Sequence, residues 1–344
     1  MNKWQSKTFS VILFVVFCII VVFITILINK ENIFKNNKQQ PLQKVTLNLS
    51  WVHQAEFSGN YVAREKGFYR KNGLDVDIIP FDFKSSVAES VTSGDFNFGV
   101  MGADQLLVAR EKGFPVRAIA VIYKTNPAIM FSLKSNNILQ PKDLIGKTIG
   151  IEKGSNTEYL YSAMMNKLNI DRKQIKEVEI GYEAKELLSG DVDVATGYII
   201  NEPNLVKEAG QDTNIILMSD YGVNIYGDVI FTTENLIKNN PDLVRRFLDA
   251  TLEGWQYSIE NQEEATDIVL KYAVNNTREH QFSMLKDSIP LISDGVSFLG
   301  WMDKEQWQLV QDILLGQDII SKPIYINDVF TVEFLANYYM NKKR

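Results

Sequence analysis

Cysteine is nearly missing from this chain. Cys18 is the single copy in 344 residues, so no intrachain disulfide and no cysteine-built metal site can form. Histidine is almost as scarce, with His53 and His280 as the two copies, which excludes a dense histidine cluster. Positive charge is in deficit: 36 Lys and Arg stand against 42 Asp and Glu, for a net charge of −6. That balance argues against a nucleic-acid partner. The signatures G-x-S-x-G, H-E-x-x-H and G-x4-G-K-[ST] do not occur, so no serine hydrolase, zincin or P-loop chemistry is indicated. No internal repeat is found, which excludes a solenoid. From the residues alone, neither a catalytic constellation nor a bound metal or cofactor is expected.

One long hydrophobic run is present. VILFVVFCIIVVFITILI begins at Val11 and ends at Ile28, about the length that crosses a hydrocarbon core. Lys3 and Lys7 precede it, and no small-residue cleavage site follows. It reads as an uncleaved membrane anchor with the bulk of the chain outside. Residues 1–30 are thus expected to form an anchor and the polar residues 31–44 a linker.

The stretch VTLNLSWVHQAEFSGNYVAREKGFYRKNGLDVDII carries the organising pattern. Val45, Leu47 and Leu49 alternate with polar neighbours, which predicts a strand. A helix is expected from Ser58, as N-cap, to a stop at Gly67. A second strand should start at Leu74. Parallel neighbours need such a crossover, and ligands of these sheets bind beyond the strands' carboxyl ends. The loop headed by Trp51 is therefore the first place to look for a site. Strands and helices keep alternating through AIMFSL, KTIGIE, DVDVATGYI and NIILMS. That rhythm predicts an α/β fold with mainly parallel sheets, and helices dominate after DVIFTT.

The motifs W-x5-F-x-G-x-Y-x-A-x3-G-F-Y-x3-G-L-D-V, V-x-S-G-D-F-N-F-G-V, A-R-E-K-G-F-P-V, P-K-D-L-I-G-K-T-I-G and L-x-S-G-D-V-D-V stand in this order. Together they resemble the receptor family for thiamine pyrimidine precursors (formylaminopyrimidine), with alkanesulfonate and nitrate receptors as cousins. The resemblance covers residues 45–260. It implies a type II periplasmic-binding-protein fold: two α/β lobes, two crossing segments and a ligand in the cleft. Residues 45–127 with 231–344 would form one lobe and 128–230 the other. It also implies a receptor that delivers a small solute to the permease and ATPase of an ABC importer. An extracytoplasmic sensor docking on a separate signalling partner is the alternative. The family further contains the fungal thiamine pyrimidine synthase, which consumes its own histidine and a lysine-bound pyridoxal phosphate, with iron and a cysteine cluster. Alignment through G-F-P-V puts Met101 at the lysine and Gln105 at the histidine, and GVNIYG has no cysteine. The resemblance therefore implies a binding protein here, without cofactor.

Candidate ligand-binding residues follow. Trp51 is suited to stack on a flat heterocycle; Phe57 and Tyr61 serve either the site or a helix core, and His53 either donates to a ligand or is solvated. Gly102, Ala103 and Asp104 open a helix whose free N–H groups suit an anion or carbonyl, although Asp104 equally complements the helix dipole. Gly154, Ser155, Asn156 and Thr157 form the matching turn further on, where Ser155 also fits a plain N-cap. By resemblance, Tyr198, Asn201 and Glu202 supply a stacking ring and a carboxylate. Tyr226 and Asp228 flank the return crossing. Two rings and an acceptor favour an aminopyrimidine-like ligand over a sulfonate or nitrate. The hydrophobic run is expected to remain in the mature protein. Mass spectrometry of the native chain should find it, and a mature N-terminus beyond Asn29 would overturn this.

Overall fold

A computed structural model describes residues 41–342 apart from 154, 182, 183 and 275. The run from Val11 to Ile28 and residues 31–40 of the linker lie outside them. Among the described residues no helix is long and apolar enough to cross a membrane.

Alternation builds the first strands. Strand β1, Gln43–Asn48, buries Val45 and Leu47, and β2, Leu74–Ile79, alternates buried and exposed side chains along LDVDII. They pair in parallel, Gln43 opposite Leu74 through Asn48 opposite Ile79. The crossover between them contains helix α1, Ser58–Glu65. A tight turn at Ala55–Phe57 leads into it, so Phe57 rather than Ser58 occupies the cap position. The Ser58 hydroxyl is buried and caps nothing. Gly67 takes the left-handed conformation, φ +77°, just past this helix, where a side chain would be strained.

The first sheet has the order β2-β1-β3-β10-β4, with β3 Phe98–Met101, β4 Val116–Val121 and β10 Val229–Thr233. The second has the order β7-β6-β8-β5-β9, with β5 Ala128–Leu133, β6 Thr148–Ile151, β7 Lys176–Glu179, β8 Val194–Tyr198 and β9 Thr213–Leu217. Both contain parallel pairs and one strand, β10 or β5, that runs antiparallel to its neighbours. Those two are the strands entered directly after the chain leaves the other sheet. Helix α2, Ala103–Glu111, follows β3; α3, Asn156–Lys167, follows β6; and α4, Glu202–Glu208, follows β8.

The long helix α5, Pro241–Glu260, starts at an Asn240 cap with proline in its first turn, where the missing N–H costs nothing. Its buried residues recur at helical spacing, and Phe247 stacks on Phe98 of β3 at 3.8 Å between ring centres. Helix α6, Arg278–Ile292, packs on the turn Ala55–Phe57 and on α4.

Two contacts require glycine. An added Cβ on Gly254 of α5 would lie 2.1 Å from the Gly59 carbonyl oxygen of α1, and one on Gly59 would lie 2.2 Å from the Trp255 ring. The helices meet this closely because neither carries a side chain at the crossing. Gly254→Ala should therefore force them apart and cost about 1–3 kcal/mol, as overpacking does. Chemical denaturation of the variant checks this, and an unchanged midpoint would contradict the contact.

Candidate functional site

The chain passes between the sheets twice, in residues 122–127 and 218–228, and the two passages hold each other. The Ile122 N–H donates to the Asp228 carbonyl at 2.7 Å, and the Gly227 N–H donates to the Tyr123 carbonyl at 2.8 Å. A Cβ on Gly227 would stand 2.7 Å from the Tyr123 Cβ, so glycine permits the pairing. The Asn224 side chain adds bonds to the Asn126 N–H and the Lys124 carbonyl, at 3.0 and 3.1 Å.

Above this junction lies a cavity of about 930 Å³. Its wall takes residues from the carboxyl ends of parallel strands in both sheets: Trp51 after β1, Met101 and Gly102 at β3, Glu152 after β6, and Tyr198 ending β8. Ligands collect there in open α/β sheets because the strands splay and side chains converge. Trp51, Phe81 and Phe83 form an aromatic lip, with Trp51 and Phe83 edge-to-face at 5.2 Å and Phe81 and Phe83 at 4.8 Å. Phe83 is 58% exposed and sits at φ +60°, a conformation that costs a non-glycine residue energy.

Five buried acids line the cavity: Glu56, Asp104, Glu152, Glu202 and Asp228. Lys112 is the sole basic side chain among the described lining residues. It lies at the far end of α2 from Asp104, about 12 Å along the helix axis. Lys153 is turned to Glu158 at 2.7 Å. Burial therefore dominates the titration of these acids. It pushes Glu56 up to about 7, with the Glu202 charge adding to it and bonds from Gln54 and Asp228 opposing it. Burial and the Glu202 charge push Glu152 up to about 8, against a 3.1 Å bond donated by the Thr157 hydroxyl. Burial also raises Asp104, with Asn156 opposing, and raises Asp228, with the neighbouring Glu56 charge adding to it. Glu202 is raised by burial although it accepts from the Tyr198 N–H and the Asn201 amide, both at 2.6 Å.

The wall keeps unfilled acceptors. Asp104 Oδ1 and Asn156 Oδ1 are buried and accept no hydrogen bond from the protein, whereas the Asp228 carboxyl is engaged by Ser50 and by the neighbouring Glu56 carboxyl. A polar atom in that state costs free energy until a donor arrives. Such a surface can accept hydrogen bonds from N–H or O–H groups.

Of the residues singled out in the sequence, Trp51, Gly102, Asp104, Ser155, Asn156, Tyr198, Asn201 and Glu202 stand on the cavity wall. Phe57, Ala103 and Tyr226 are buried and stand elsewhere. Phe57 and Ala103 pack in the main core, and the Tyr226 hydroxyl accepts from the Asp303 N–H at 2.9 Å. The start of α2 does not offer free donors at its first two groups. The Gly102 N–H is taken by the Gln105 side chain at 3.3 Å and the Ala103 N–H by the Tyr226 carbonyl at 3.4 Å. The Ser155 hydroxyl caps α3, accepting from the Glu158 N–H at 3.3 Å. His53 bonds the Tyr61 hydroxyl at 2.9 Å, away from the wall.

Glu56, Glu152 and Phe83 were not singled out from sequence. Glu56 precedes Phe57 within the Trp51 motif, and Glu152 follows a strand as Trp51 does, so position offered a signal for both. Phe83 lies in irregular chain and offered none.

Comparison with known proteins bears on this site. The profile of the family described as "NMT1/THI5 like" matches residues 54–265. A riboflavin-binding protein RibY from Chloroflexus aurantiacus is 29% identical over 311 residues, covering 87% of this chain and 88% of that one. A formylaminopyrimidine-binding protein from Halalkalibacterium halodurans is 25% identical over 303 residues, covering 85% and 91%. The structure of the putative periplasmic sulfonate-binding protein SsuA from Methylobacillus flagellatus superposes with a TM-score of 0.69 at 16% identity, covering 88% of this chain and 96% of that one. The last likeness identifies the α/β periplasmic-binding-protein fold.

The acids give the protein a pH dependence. A carboxyl that folding holds protonated contributes stability that is whole below its unfolded pKa, 4.5 for Glu56 and Glu152, and is lost as pH rises through about 7 and 8. Burial lowers His53, which works in the opposite sense. Without added solute, wild type is expected to lose stability as pH rises between about 5 and 8, by several kcal/mol in all, with Glu56 and Asp228 titrating as a pair. Glu152→Gln removes one such group and should flatten the slope. Denaturation midpoints across this range for both proteins provide the measurement, and identical slopes would contradict the assignment.

Proposed function

The chain belongs to the NMT1/THI5-like family, and from that premise we propose an extracytoplasmic solute-binding protein that serves an ABC importer and takes a flat, donor-rich solute. A thiamine pyrimidine precursor is the first choice. The observation that carries this reading is the wall of buried acids with unfilled acceptors at Asp104 and Asn156. An aminopyrimidine brings N–H donors to those oxygens and a ring face to Trp51. A sulfonate or nitrate brings acceptors and negative charge. Placing a bare anion against any of these carboxyls that is ionised costs several kcal/mol unless a cation offsets it, and the nearest lysine on the wall is at the other end of α2. The two halves would close on the solute by pivoting at the paired crossings.

A binding role also fits the residues at the positions where the fungal synthase has lysine and histidine. Those positions hold Met101 and Gln105, both on the cavity wall, and neither can form the lysine Schiff base or supply the histidine ring. A flavin is the second reading. A cavity of about 930 Å³ is near the top of the usual range for small-ligand sites, larger than one pyrimidine ring requires. The aromatic lip would cover a wider ring system, and a riboflavin-binding relative supports that chemistry.

Calorimetry with hydroxymethylpyrimidine, formylaminopyrimidine, riboflavin and taurine is the test. One of the pyrimidines is expected to bind and taurine to stay silent. Asp104→Asn should weaken binding by about 1–3 kcal/mol, the value of a charge-assisted hydrogen bond. Trp51→Ala should weaken it by about 1 kcal/mol or more. Riboflavin binding with silent pyrimidines would select the second reading. Tight taurine binding with neither ring compound responding would overturn both.

A further inference from the structure

His280 stands outside the cavity, yet it is joined to its wall. It lies on α6 and is 5% exposed. Its Nδ1 faces Glu208 Oε1 at 2.9 Å and its Nε2 faces Asn201 Oδ1 at 3.0 Å, both on the α4 side. The Asn201 amide nitrogen is committed to Glu202 Oε1 at 2.6 Å, so the atom that Asn201 turns to the imidazole is an acceptor. The Glu208 carboxylate is an acceptor too. In this orientation of the Asn201 amide, both ring nitrogens face acceptors. A neutral imidazole has one N–H and cannot satisfy both partners, whereas an imidazolium has two.

Helix α6 itself ties the two halves together. Toward the first sheet and the crossings, its Gln281 side chain accepts from the Ala55 N–H at 2.6 Å. The Tyr123 hydroxyl donates to Ser288 at 2.8 Å, and the Thr125 N–H donates to the Leu291 carbonyl at 3.1 Å. Toward the second sheet it has His280 on Asn201 and Glu208, and Asp287 accepting from the Asn204 amide at 3.0 Å. Other nearby charges are engaged elsewhere: Glu263 and Asp267, on the preceding helix, hold Arg278, and Glu56 bonds Gln54.

We propose that His280 is a positioning residue, an imidazolium that clasps the second half to α6 and holds the Asn201 amide toward Glu202 in the solute site. The proposal rests on the solute-site reading for the purpose of the clasp, but its geometry needs no solute. Loss of the clasp frees Asn201 to rotate, so Glu202 loses a fixed donor. It also removes a charge-assisted bond between the halves and favours an open form.

The experiment uses the full chain with Cys18→Ser and spin labels at Asp75→Cys and Lys176→Cys, exposed positions on edge strands β2 and β7. Nitrogen–proton NMR reads the two histidine rings at neutral pH, with His280 assigned by its loss in His280→Ala. Wild-type His280 is expected to show two ring N–H groups. Glu208→Lys, at a part-exposed site that leaves the core untouched, should reduce it to one. That variant and His280→Ala should shift the label distances outward, a change of roughly tenfold in the closed-to-open ratio. A single N–H on wild-type His280, or unchanged distances in Glu208→Lys, would overturn the proposal. Adding hydroxymethylpyrimidine to wild type afterwards tests the solute assignment alone, since both earlier readouts are taken without it.

Discussion

Two backbone hydrogen bonds between the crossing segments underlie the rest of this structure. They fix Ile122 against Asp228 and Gly227 against Tyr123, and they decide how the two sheets can face one another. The constraint is covalent as well as polar, because every route from one sheet to the other runs through this pair of strands. Asp228 shows the consequence. Its carbonyl belongs to the junction while its carboxyl belongs to the cavity wall, so the cavity and the crossing segments share one residue. Tyr123 is similar: its carbonyl accepts in the junction, and its hydroxyl reaches Ser288 of α6.

The cavity above the junction is electrostatically frustrated. Five acids converge where folding alone would favour apolar or paired side chains. Burial pushes Glu56 up to about 7 and Glu152 up to about 8, which limits the repulsion but leaves acceptors such as Asp104 Oδ1 unfilled. The protein thus carries a stability cost that a donor-rich solute would relieve, and that relief is available as binding free energy. The same logic explains why the surface ion pairs matter little here. Pairs such as Lys134 with Asp212 are largely exposed and contribute little, whereas the buried acids dominate the pH response.

Contacts outside the cavity extend its control. Glu202 receives donors from Tyr198 and Asn201, and Asn201 passes the network to His280 and Glu208 across the boundary between the halves. A wall residue is thereby connected to a helix that also grips the crossings. Under the proposal above, closure and the orientation of the wall are parts of one arrangement, and a substitution on α6 would be felt in the cavity without touching a solute.

Much of this protein was determined by local sequence. Alternation in VTLNL and LDVDII fixed which strand faces are buried, and glycines such as Gly67 marked where helices stop. The motif order carried the family. These are properties of short windows, where side-chain period and backbone sterics act without reference to distant chain. Trp51 was legible for the same reason, since a strand's end is a local feature; Gly102 was read from the helix start it precedes, and Tyr198 and Glu202 from the family resemblance. The tertiary structure alone decided which acids meet. Glu56, Glu152 and Asp228 belong to three separate stretches, and they converge because the strand order puts β10 beside β3 and carries the chain back through the crossings. It also turned Phe57, Ala103 and Tyr226 inward, although each stands close in sequence to a wall residue. Which face of a loop or helix start looks into a cavity depends on long-range pairing and packing, and no local spacing encodes that.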